Sequence, residues 1–137
     1  MTGLTSLDQI LEQLSPRLCS KNYVYCSVDF TRQRGLEALE PFAIIRESEA
    51  MTLVLPESQA RELGVSENRL FRRISLGVHS SLEAVGLTAI VSRALADAGI
   101  SANIIAGYYH DHFMVPAAQA EKALEILVGL AGKHDDA

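Results

Sequence analysis

The sequence predicts an α+β fold of ferredoxin-like type, with antiparallel sheets carrying their helices on one face. Two observations predict it. Along the 137 residues the apolar period switches repeatedly between two and about 3.6, so short strands alternate with amphipathic helices. From residue 69 the order reads β-α-β-β-α, which is the βαββαβ plan without its final strand. From residue 23 it reads β, loop, β-β-α-β, which is the same plan without its first helix.

Leu7, Ile10, Leu11 and Leu14 fall at helical spacing, and Ser6 with Gln9 has capping-box spacing, so residues 6–14 are expected to be a helix that Pro16 closes. YVYCSVD, 23–29, alternates Val24, Cys26 and Val28 against polar or amphipathic neighbours, the pattern of a half-buried strand. TRQRGLEALEP is polar and reads as a loop or one helical turn. PFAIIRE, 41–47, and MTLVLP, 51–56, form a hairpin across Ser48-Glu49-Ala50. Pro56 opens a short helix, ESQARELG, which Gly64 ends.

RLFRRISLGVH, 69–79, is the next strand, with Arg72, Ile74, Leu76 and Val78 on one face. Within SLEAVGLTAIVSRALADAG, Leu87, Val91, Ala94, Leu95 and Ala98 form one helical stripe that Gly99 terminates. SANIIAGYYHDHFMVP gives strand, tight turn near Tyr109 to Asp111, and strand. Ala120, Ala123, Leu124, Leu127 and Ala131 mark a last helix. No exact repeat or linker separates the halves, so 1–68 and 69–137 are expected to pack as one compact unit.

Composition excludes several classes. With 48% hydrophobic and 21% charged residues the chain is not disordered, and no apolar run reaches the roughly 20 residues of a membrane helix. The N-terminus has no basic segment ahead of an apolar one, and two cysteines, Cys19 and Cys26, make no disulfide framework; a cytoplasmic location is expected. A net charge of −5 without a clustered basic face argues against nucleic acid.

Chemistry-bearing residues gather in two places. GYYHDH, 107–112, supplies His110, Asp111 and His112, which with His79 have the donor types of a metal site. Their spacing is poor for it, because on a strand His110 and His112 share a face that Asp111 leaves; polar turn residues are the plainer reading. At the strand-to-helix junction, Ser80 or Ser81 can cap the helix, whose first-turn N–H groups suit a carboxylate, and Gly86 permits close approach. Glu83 there suits an ammonium group or a plain surface role. No nucleophile elbow, P-loop or dinucleotide fingerprint is present, so no catalytic residue or cofactor is assigned.

VHSSLEAVGLTAIVSRALADAGISANIIAGYYHDHFMVP, 78–116, resembles the ACT domain, particularly small bacterial ACT proteins formerly classed as a domain of unknown function. LEPFAIIRESEAMTLVLP resembles the companion segment of those proteins, although this half lacks the ACT first helix. The resemblance implies two packed ACT-like halves, no enzyme activity, a small-molecule ligand of amino-acid type and a homodimer. It also implies a site formed by Ser80, Ser81, Glu83, Val85, Gly86 and Leu87 on the loop and Asn103, Gly107, Tyr108 and Asp111 on the hairpin. The rival readings are a metal-dependent protein using the histidines and a ligand-free dimerisation module.

Overall fold

The computed structural model describes residues 7–65, 69–78 and 85–135. In chain order its elements are α1 (Leu7–Glu12), β1 (Pro16–Leu18), β2 (Tyr23–Val28), β3 (Ala43–Arg46), β4 (Met51–Pro56), α2 (Glu57–Glu62), β5 (Phe71–Leu76), α3 (Leu87–Asp97), β6 (Asn103–Ala106), β7 (Asp111–Pro116) and α4 (Ala120–Asp135). No described helix is long and apolar enough to cross a membrane.

Lys21–Phe71 forms one compact unit. Its strands lie in the order β3-β4-β2, all antiparallel, and Phe71 pairs with Tyr23 on the far side of β2. That is the ferredoxin-like order. The alternation in β2 turns Val24, Cys26 and Val28 inward, where they meet Met51, Leu53 and Leu55 of β4 and Ala60 of α2. Each such buried side chain contributes on the order of 1.5–3 kcal/mol. The place of the first helix is taken by two short 3-10 turns, Phe30–Gln33 and Leu36–Ala38. The Asp29 carboxylate accepts from the Thr31 N–H at 3.2 Å to start one, and Gly35, at φ 100°, starts the other. Arg46 stacks over the Phe30 ring at 4.5 Å.

The described residues before Lys21 and after Phe71 form the second unit. Here β5, β7 and β6 are neighbours in that order, and β6 pairs antiparallel with β7. The fourth strand, missing from the C-terminal sequence, is β1: Pro16, Arg17 and Leu18 lie opposite Leu76, Ser75 and Ile74. Residues read only as the stop of a helix therefore complete the sheet. Helix α1 packs with them, placing Ile10, Leu11 and Leu14 in a core with Ile74, Leu76, Leu87, Val91, Leu95, Phe113, Val115 and Leu127. The leading helix thus groups with the C-terminal elements, which differs from the division at residues 68 and 69.

The two units share an inexact repeat. LVLPESQA, 53–60, and FMVPAAQA, 113–120, each run from strand through proline into helix, with Leu55 and Val115 buried in the strand and Ala60 and Ala120 at matching buried helix positions.

Candidate ligand-binding site

In the second unit the hairpin turn lies at Gly107–His110, one to two residues earlier than the sequence suggests. The Gly107 N–H donates to the His110 carbonyl at 2.8 Å, and Asp111 opens strand β7 opposite Ala106 instead of shaping the bend. A Cβ at Gly107 would lie 2.9 Å from that carbonyl oxygen and 3.3 Å from His112 Nε2, so the turn closes this tightly only on glycine. At its tip Tyr108 and Tyr109 meet edge to face with centroids 5.0 Å apart, and both are mostly exposed.

The turn is tied to the end of β5. His110 Nδ1 donates to the Val78 carbonyl at 3.3 Å, a partner that fixes the proton on that nitrogen. His112 lies one strand position further on, its Nδ1 2.7 Å from Ser75 Oγ. Burial, then the nearby charges of Arg73 and His110, lower its imidazole to about 4. It is a neutral ring at pH 7, bonded to a serine. Ser75, Arg73 and the Val78 carbonyl were not expected to take part; the only signal was the strand period that turns 73 and 75 away from Ile74 and Leu76.

On the helix side, Gly86 caps α3 in the left-handed region at φ 99°, Val85 ahead of it is 85% exposed, and Leu87 is buried as the first helical residue. The Ile90 N–H donates to the Gly86 carbonyl at 3.0 Å. Ser80, Ser81 and Glu83, together with His79, lie outside the described residues. The Val78–His110 bond joins the hairpin turn to the residue two past the end of β5. Asn103 stands apart, at the end of β6 that pairs with Met114 and about 10 Å along the strand from the turn. Among the described residues no group of three or more His, Cys, Asp or Glu side chains is arranged to hold a metal ion.

Family models for the ACT domain match residues 2–72 and, separately, residues 68–128. The chain belongs to the ACT-domain family. ACT domains are regulatory, non-catalytic modules that bind small molecules and often dimerise. Among solved structures, a Vibrio cholerae protein of unknown function, a possible transport protein, is 45% identical over 95% of this chain and 99% of its own, with a TM-score of 0.80. The regulatory subunit of aspartate kinase from Thermus flavus matches 85% of this ACT chain and 96% of its own at 17% identity and a TM-score of 0.63. Aspartokinase III of E. coli, in complex with aspartate and ADP, matches 84% of this chain and 32% of its own at 17% identity and a TM-score of 0.59. The two kinase likenesses show the ACT fold alone. No curated protein matches the sequence.

Proposed function

We propose that this ACT protein is a non-catalytic cytoplasmic regulator that binds an amino acid and works as a homodimer. The observation that carries this reading is the His110–Val78 hydrogen bond, which ties the turn bearing Tyr108 to the residue two past the end of β5. The helix start offers N–H groups to an α-carboxylate. Asp111 or Glu83 receives the α-ammonium group, and Tyr108 is an apolar wall with a polar tip. Ser80, Ser81, Val85, Leu87 and Gly107 complete the contacts. Such a site binds and reports; it needs no nucleophile.

The test is a thermal-shift screen of the full chain over the twenty amino acids. A ligand at about a hundredfold over its Kd adds roughly 2.7 kcal/mol, which raises the melting point by several degrees. Asp111→Ala and Tyr108→Ala should remove the shift. A flat profile across the panel refutes the reading.

A further inference from the structure

The N-terminal segment touches both the strand end and the helix start on which that site is built. The Gly77 N–H donates to the Ser15 carbonyl at 2.8 Å, and the Val78 N–H donates to the Leu14 carbonyl at 3.3 Å. A Cβ at Gly77 would lie 2.9 Å from the Ser15 carbonyl oxygen, so this approach is possible only for glycine. At the other end of the same segment, Leu7 packs on Gly86: a Cβ there would sit 3.5 Å from Leu7 Cδ2 and 3.9 Å from Cδ1. Between these contacts Ile10, Leu11 and Leu14 are anchored in the core. Ser15 holds a left-handed φ of 44° to turn the chain from α1 into β1.

The geometry points to residues 7–18 as a clasp that fixes the strand end at Gly77–Val78 and the helix start at Gly86–Leu87 relative to each other. Resting on the amino-acid site proposed above, this makes Leu7 a positioning residue: ligand affinity depends on it without requiring it to touch the ligand. A binding-competent arrangement that is only fractionally held lowers apparent affinity by that fraction.

Two readouts on the full chain test the clasp. The first is hydrogen exchange of the Ile90 amide, which bonds the Gly86 carbonyl. Leu7→Ala should speed it about tenfold. Leu7→Met should restore it, and Leu127→Ala, a truncation of the same core made from α4, should lower the melting point without selectively releasing Ile90. The second is the Kd of whichever of the twenty amino acids shifts the melting point most, expected to rise about tenfold in Leu7→Ala and to stay unchanged in Leu127→Ala. An unaltered Ile90 rate in Leu7→Ala overturns the clasp. So does a ligand that binds wild type and Leu7→Ala equally, a result that leaves the amino-acid reading standing. A flat panel overturns the amino-acid reading and, with it, the role of Leu7 in binding.

Discussion

Between pH 6.5 and about 4, His112 stays neutral in the folded chain while the same residue in the unfolded chain takes up a proton. Its folded value is depressed, so the unfolded state binds more protons in that window and stability rises with pH. The contribution is complete above 6.5 and is lost as the pH falls toward 4. At 1.36 kcal/mol per pH unit the interval sets an upper bound of about 3.4 kcal/mol. The ring is only half-buried, and solvent screening reduces this to about 1–2 kcal/mol. Arg73 and His110 add to the cost of a proton, while Ser75 Oγ suits the neutral ring as donor or acceptor. The informative variant is His112→Asn, whose amide reaches toward Ser75 from about the Nδ1 position and does not titrate. Urea unfolding of both proteins near pH 7 and near pH 4 gives the test, because other titrating groups cancel in the difference. The variant should be less stable by about 1 kcal/mol near neutrality, and that gap should close or reverse near pH 4. A gap that stays constant across the range refutes the reasoning.

Tyr25 has a hydroxyl that is buried and makes no hydrogen bond among the described residues, its ring set edge-on to Phe71 at 5.2 Å. Burial raises its pKa, and Tyr25→Phe should leave stability unchanged or raise it by up to about 1 kcal/mol in urea unfolding. Two glycine-to-alanine changes should have opposite signs. Gly77→Ala drives a Cβ into the Ser15 carbonyl and should cost about 1–3 kcal/mol. Gly129→Ala, in α4 with open space around it, should add about 1 kcal/mol by helix propensity.

The strongly periodic elements were legible in the sequence. Leu87, Val91 and Leu95 do form the buried stripe of α3, and Val24, Cys26 and Val28 face a core as their alternation requires. Strand β1 was not legible, because three residues carry no period and Pro16–Leu18 becomes a strand only through an edge of β5 more than fifty residues away. The inexact LVLPESQA and FMVPAAQA repeat was readable but is diluted by substitutions at five of its eight positions. For the candidate site, composition and turn chemistry single out the GYYHDH stretch and Gly86. Their partners were not legible, since Ser75 beside His112 and Val78 beside His110 are pairings set by strand neighbours that a single sequence does not name. Asp111 was placed in the bend because aspartate favours turns, but the bend closes earlier, on Gly107.

The order in which the pieces of the second unit leave the ribosome carries a consequence. Helix α1 and β1 are made first, yet Leu18 has no pairing partner until Ile74 has been synthesised, and the core that receives Ile10 and Leu14 includes Leu127. The strands of Lys21–Phe71 pair among themselves over short separations and are complete by the time β5 is made. Nascent chains should therefore show the inserted unit protected early, with the N-terminal segment exposed and open to chaperone capture until α4 emerges. Folding of the second unit joins two chain segments separated in sequence by an already folded insert.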